Sequence, residues 1–167
     1  TDTWKKTHNY FYKIYKEKLH GDCSWLIWAP GKTYAYQCDF STMISPKLFE
    51  KFVVFELEQI KDYLDYIVWH LDGPDEIKHL DILLSLPYIK AIQVVPGAGR
   101  PPCASPLWIP IIKRIIEKGK NVIVYADTEE EVKKLINNVP KEKMAISLGW
   151  QIGNKKQAQE IIEWIKK

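Results

Sequence analysis

Four times along this chain a short apolar run stops at a turn and gives way to a helix-period pattern, with the runs ending near residues 71, 95, 125 and 148. Each interval has room for one strand and one helix, the grammar of a strand feeding a helix. Strands spaced in this way pair in parallel through right-handed helical crossovers. An earlier run over 25–28 reads as a first buried strand, ending at Ala29-Pro30-Gly31.

A doubly wound sheet carries helices on both faces and often a nucleotide loop after its first strand, and the sequence signals neither. Polar groups stand at each strand end instead, as in a (β/α)8 barrel. A full barrel takes eight units and about 250 residues, whereas five units are present in 167 residues. The expectation is an α/β fold of parallel strands alternating with helices, the C-terminal portion (about five units) of a (β/α)8 TIM barrel. It forms a single domain over 1–167, with a leading helix over 1–21 and β/α units over 22–167. Open sheet edges then call for a missing N-terminal portion, a second copy of the chain, or a cover of its own. Thr1 in place of an initiator Met points the same way, towards a segment of a longer protein.

Composition narrows the function classes. With 46% hydrophobic and 27% charged residues the chain can bury one sizeable core. The formal charge of +3 is dispersed, and Lys155, Lys156, Lys166 and Lys167 fall on a helical pattern, so no basic face for nucleic acid is present. No apolar run reaches the ~18 to 20 residues of a membrane span, and no signal-peptide pattern occurs. Cys23, Cys38 and Cys103 are odd in number and widely spaced, which predicts free thiols in a reducing cytoplasm.

In chain order, Trp4, His8, Phe11, Tyr15 and Leu19 form an aromatic helical stripe that core packing accounts for. Residues 32–45 have no clear period and read as a loop, with Tyr34, Tyr36, Gln37 and Asp39 as its polar candidates. Ser45-Pro46 opens a helix with Phe49, Val53, Leu57, Ile60 and Leu64 inward. The segment 75–86 turns Ile77, Leu80, Leu83 and Leu84 inward and puts Asp75 and Glu76 in the first turn, where the helix dipole favours them. Ser105-Pro106 opens the next helix, striped by Trp108, Ile111, Ile112, Ile115 and Ile116 and ended by Gly119. Thr128 and Glu131 make a capping box, and Asn154 caps a last helix with Ala158, Ile161, Ile162 and Ile165 inward.

Candidate site residues follow from the period of two. Over 66–72 it puts Tyr66, Val68, His70 and Asp72 on one face and Ile67, Trp69 and Leu71 on the other. His70 and Asp72 then lie about 7 Å apart, close enough for both to touch one ligand as an acid/base or substrate-orienting pair. Gln93 is the polar residue in an otherwise apolar strand, either bonded within the core or facing the site. Gly97 and Gly99 let the backbone approach a ligand and offer N–H groups to an anion, and Arg100 can neutralise a carboxylate. Trp28, Asp39, Tyr125, Asp127 and Trp150 complete the lining, although Asp127 serves equally as a helix cap.

The run 38–49, then His70-Leu71-Asp72-Gly73-Pro74, His79-Leu80-Asp81, Ala91-Ile92-Gln93, Pro96-Gly97-Ala98-Gly99 and Gly119-Lys120, resembles the C-terminal half of the uroporphyrinogen decarboxylase-like superfamily over about residues 22–150. The branch it most resembles lies near the corrinoid-dependent methyltransferases and is often labelled with trimethylamine corrinoid systems. The resemblance implies a barrel with its site at the strand C-termini, methyl transfer on a small molecule, and a corrinoid protein as partner; decarboxylation of a porphyrinogen-like or other carboxylated substrate is the second expectation. Departures from the family matter. Its methyltransferases hold zinc with a His-x-Cys pair and a later Cys, where this chain has His70-Leu71-Asp72 and no cysteine over 147–150. With those thiolates missing, zinc is not expected and no other cofactor is indicated. Its decarboxylases clamp acidic substrates with arginine, and here Arg100 and Arg114 are the sole arginines. A third expectation, favoured by the missing cysteine ligands, is a barrel that binds a small molecule without turnover.

Overall fold

The computed structural model describes residues 1–149 and 152–166. Five parallel strands, β3 (Thr33–Tyr36), β4 (Tyr66–Asp72), β5 (Ile89–Val95), β6 (Asn121–Ala126) and β7 (Met144–Leu148), lie side by side in chain order. The helices between them pack on one face of this sheet. Phe49, Val53, Leu57 and Ile60 come from α2 (Pro46–Phe49), the π-turn Glu50–Val54 and α3 (Phe55–Ile60). Leu80, Leu83 and Leu84 come from α4 (Leu80–Ser85), Trp108, Ile112 and Ile115 from α5 (Trp108–Glu117), and Val132 and Leu135 from α6 (Glu129–Asn138). All join one core with Ile67, Trp69, Leu71, Ile92, Val94, Val122 and Val124. Each fully buried Leu or Ile of this core contributes about 1.5–3 kcal/mol. The other face carries a separate small cluster, Ala35, Val68, Ala91 and Ile123, against which Ile27 packs and to which no helix contributes among the described residues.

The period-two assignment of β4 holds, since Ile67, Trp69 and Leu71 face the helices and Val68 the open face. In β5 the parity must change midway. Ile89 pairs with Ile67 but Ala91 pairs with Val68, so Lys90 is an extra residue, a bulge that turns Ala91 and Gln93 to the open face while Ile92 and Val94 stay in the core. The caps fall where the sequence puts them. Ser45 Oγ accepts the Leu48 N–H and Thr128 Oγ the Glu131 N–H. Gly119, at φ 81°, closes α5 with its own N–H on Ile116 O and that of Lys120 on Ile115 O. Asn154 Oδ1 accepts the Gln157 N–H at the start of α7 (Lys155–Lys166).

The amino-terminal third departs from expectation. Residues 25–28 are no buried strand. They hold the turn of a two-stranded hairpin, β1 (Asp22–Ser24) with β2 (Ile27–Ala29), and Trp25 and Leu26 take φ values of 46° and 68°. Left-handed conformations at both positions suit a two-residue hairpin turn. The first parallel strand is β3, inside the segment expected to be a loop. The leading helix α1 (Asp2–Leu19) forms, but Phe11 and Leu19 are exposed and no residue of it is fully buried; it docks through Trp4, His8, Tyr12 and Tyr15. The hairpin supplies the cover that the edge of β3 needs, since Asp22 Oδ2 accepts the Thr33 N–H and Ser24 Oγ the Ala35 N–H. No helix among the described residues is long and apolar enough to cross a membrane.

Candidate active site on the open sheet face

Three adjacent strands bring His70, Gln93 and Tyr125 into one hydrogen-bonded row on the face of the Ala35, Val68, Ala91 and Ile123 cluster, opposite the helix-covered core. His70 Nδ1 lies 2.7 Å from Gln93 Oε1, and Gln93 Nε2 donates to the Tyr125 hydroxyl at 2.7 Å. With the amide so oriented, Oε1 can only accept, so His70 carries its proton on Nδ1 and a neutral ring keeps its lone pair on Nε2. No described residue bonds Nε2. Gln93 is 1% exposed and His70 8%, so this row is set in place by burial. Burial, reinforced by the nearby Cys103, pushes the Tyr125 phenol up, and it stays a neutral donor whose own proton is uncommitted. The Trp25 indole and the His70 ring meet edge to face, with centroids 4.4 Å apart.

At the strand C-termini two glycines take left-handed backbone conformations. Gly73, at φ 84°, donates its N–H to Val95 O. A side chain on Gly97, at φ 85°, would stand in ordinary contact range of the Gly73 Cα, so its left-handed φ and not crowding is what favours glycine there. Gly99 and Arg100 of this loop are exposed. Asp72 is half-buried on the His70 face, and its N–H reaches Glu76 Oε2 at 3.3 Å. Asp127 is exposed at the end of β6, its carboxylate over Gly149 where a Cβ would collide with it. It is not the cap of α6; Thr128 takes that place, and Glu131 Oε2 accepts the Asp127 N–H at 2.7 Å.

Two expected lining residues are placed elsewhere. Trp28 is on the outer side of the hairpin, 54% exposed, with its indole N–H on Leu19 O, because the two-residue turn sends Ser24 and Ile27 inward and Cys23 and Trp28 outward. Asp39 is exposed in the 3-10 turn Asp39–Met43 that follows β3, at the same end of the sheet but without contact to the row. Trp150 lies outside the described residues.

Sequence reasoning missed the support beneath the mouth. Glu76, expected to serve the helix dipole from the surface, is 1% exposed and accepts the Ser41 hydroxyl at 2.7 Å and the Asp72 N–H. It thereby ties the loop after β3 to the end of β4. His79 is fully buried, stacked on Phe49 at 4.3 Å, and donates Nε2–H to Ser41 O. Burial holds it below the usual imidazole range and hence neutral. The run Ser41 to His79 in the sequence carries no period that betrays these contacts. Trp25 was equally hidden, because its role comes from the turn.

The residues do not fit a zinc site. Cys103 is buried with its thiol on Val94 O and pushed up to about 11 by that burial, Cys38 is raised by burial too, and Cys23 is on the outer side of the hairpin. Among the described residues no three His, Cys, Asp or Glu side chains stand together as ligands. What the arrangement can do is take a proton at His70 Nε2 and give one from Tyr125, beside a carboxylate at Asp72. Compared with known proteins, the chain matches no family model, no curated protein and no solved structure.

Proposed function

We propose that this chain is the C-terminal portion of a uroporphyrinogen decarboxylase-like (β/α)8 barrel, which transfers a methyl group to a small molecule in a corrinoid-linked system of the cytoplasm. The His70–Gln93–Tyr125 row carries the reading. A sheet in strict chain order with its helices on one side supports the barrel, and the strand-end motifs resembling that superfamily support the reaction class. In this reading His70 Nε2 removes the proton of the acceptor's O–H, N–H or S–H group as its bond to the methyl carbon forms. Gln93 holds the imidazole in the tautomer that leaves Nε2 basic, Tyr125 donates a hydrogen bond to the acceptor, and Asp72 orients it. The methyl donor would be a corrinoid on a partner protein, which would keep the electron pair of its broken bond to the methyl carbon while His70 keeps the proton.

Decarboxylation is kept as a second reading for one reason. Arg100 stands in the loop after β5 with no carboxylate partner among the described residues, whereas Arg114 is paired with Asp81 on the helix side. A single free arginine suits a substrate with one carboxylate better than one with many.

The test is turnover by the protein with its corrinoid partner and candidate acceptors. Replacing His70 with Ala is expected to cut kcat by about 10²- to 10⁴-fold with acceptor affinity little changed. The Gln93→Leu variant should shift the pH profile of kcat as well as lower it, which a purely structural role would not do. Release of carbon dioxide that depends on Arg100 would replace methyl transfer with decarboxylation. Ligand binding without any turnover, weakened by H70A, would leave a binding barrel and overturn the enzyme.

A further inference from the structure

The Gln93 amide is asymmetric end to end, with its oxygen towards His70 and its nitrogen towards Tyr125, while both of its partners are ambivalent. A neutral imidazole carries its proton on either nitrogen, and a phenol both donates and accepts. Turned over about its last torsion, the amide would donate Nε2–H to a bare His70 Nδ1 and accept the Tyr125 O–H at Oε1. Either setting makes two hydrogen bonds between neutral groups, so the balance between them lies within about the net worth of one hydrogen bond. Burial makes the choice concerted. Gln93 is enclosed, so no water stands in for a lost partner and both ends of the amide must be satisfied together. Register holds the three side chains in line: His70 pairs with Gln93 across β4 and β5, and Tyr125 stands two residues along β6 from Ile123, the partner of Gln93. His70 Nε2 has no partner among the described residues and, unlike the enclosed Nδ1 of His79, is open to a ligand.

We propose that Gln93 is a positioning residue that sets the polarity of the site, holding the row in one of two hydrogen-bonded states. In the state of this structure His70 offers a lone pair at Nε2 and Tyr125 offers a proton. With the amide turned, His70 offers Nε2–H and Tyr125 a lone pair. Passage between the states changes no charge: the ring gives its Nδ1 proton to water and takes one from water at Nε2, and the Tyr125 hydroxyl rotates. A ligand is therefore read by its pattern of donors and acceptors. The row takes a neutral N–H or O–H donor at His70 in one state and a carbonyl-like or pyridine-like acceptor in the other. A ligand that meets the wrong state leaves two groups unpaired, about 10- to 100-fold in affinity, enough to draw the row into the matching state. The inference rests on the proposed reading of the row as the site and not on the reaction carried out there.

Pyrrole and pyridine are the probes, neutral rings of similar size, one with only a donor nitrogen and the other with only an acceptor. Each is titrated into the protein carrying ¹⁵N-histidine and ¹³C-tyrosine, at a pH above that at which the ring signals titrate. His70→Ala identifies the His70 signals among those of the four histidines. Pyrrole is expected to draw Nδ1 to the shift of a protonated nitrogen and Nε2 to that of a bare one, and pyridine to exchange the two. The Tyr125 Cζ signal should move with His70, in opposite directions for the two probes. Gln93→Leu cuts the link, so in that variant His70 should still follow the probe while the concerted movement of Tyr125 is lost. A His70 that keeps Nδ1–H with both probes, bound or unbound, would overturn the switch, as would concerted shifts undiminished in Q93L. Turnover tells the two readings apart. A fixed tautomer with turnover intact removes the switch and keeps His70 as the base, whereas probe-driven exchange without turnover keeps the switch and removes methyl transfer.

Discussion

A glutamate two residues beyond a Gly-Pro break is ordinarily a surface partner of the helix dipole, yet Glu76 is 1% exposed and joins Ser41 to the Asp72 backbone. Removal from water outweighs the hydrogen bonds it accepts and raises its carboxyl above the usual range. A carboxyl whose folded-state pKa lies above its unfolded value of about 4.3 stabilises the fold fully below that value, and the contribution is lost as pH rises through the raised one. The stability of the protein should therefore fall from about pH 4.3 upwards by Glu76's share. In the Glu76→Gln variant, which still offers an oxygen to the Ser41 hydroxyl, that part of the slope should vanish. Urea midpoints of both proteins between about pH 4 and pH 8 measure it; parallel curves would show that Glu76 does not titrate in this interval. The Ala variant orphans two donors and should cost about 1–3 kcal/mol at neutral pH.

Among the elements, the hairpin β1–β2 is the one whose chemistry least matches its shape. Leu26 occupies φ 68° and is 73% exposed, so a branched side chain sits in the left-handed region while burying little. Leu26→Gly removes that strain and should raise stability by about 1 kcal/mol. Trp25 is left in place, so thermal unfolding of that single variant should move up by a few degrees; a lower midpoint would mean that the chain-entropy cost of glycine exceeds the strain. The same hairpin explains why the sequence misleads over 22–36. Trp25, Leu26, Ile27 and Trp28 are strand-formers with no Gly or Asn to announce a turn, while Thr33–Tyr36 alternates like a strand but is too polar to read as a buried one. The bulge at Lys90 leaves no trace in composition, yet without it Gln93 would face the helices. Elsewhere the periods suffice. The stripes of α3, α5 and α6 are legible because tertiary burial follows helix period, and the His70–Asp72 face because β4 is regular. The sequence leaves Gln93 open between a core bond and the site, and the structure shows it buried and hydrogen-bonded to His70 and Tyr125.

For the molecule as a whole, one buried carboxylate links the parts that local pattern leaves separate. Asp22 is 1% exposed and accepts the Tyr15 hydroxyl at 2.6 Å, the Cys23 N–H at 2.8 Å and the Thr33 N–H at 2.9 Å. His8 Nε2 stands 3.2 Å from the same carboxylate, and His8 Nδ1 bonds the Tyr63 hydroxyl, which itself donates to Lys5 O. Helix, hairpin and sheet edge thus meet at a single side chain. The helix α1 has no fully buried residue to hold it otherwise, and helices in proteins draw most of their stability from tertiary contacts. Replacing Asp22 with Ala strands several donors at once and should destabilise the protein by about 3–5 kcal/mol in urea titrations. Asp22→Asn should cost nearly as much, because a single amide oxygen cannot take the place of two carboxylate oxygens shared among four donors. Hydrogen exchange localises the effect. The amides of α1 and β1 should exchange much faster in Asp22→Ala, while those of β4 and β5, paired in the centre of the sheet, remain protected to near the global limit. Unchanged protection of α1 would mean that the ring contacts of Trp4 with Tyr34 and Tyr63 suffice to hold the helix.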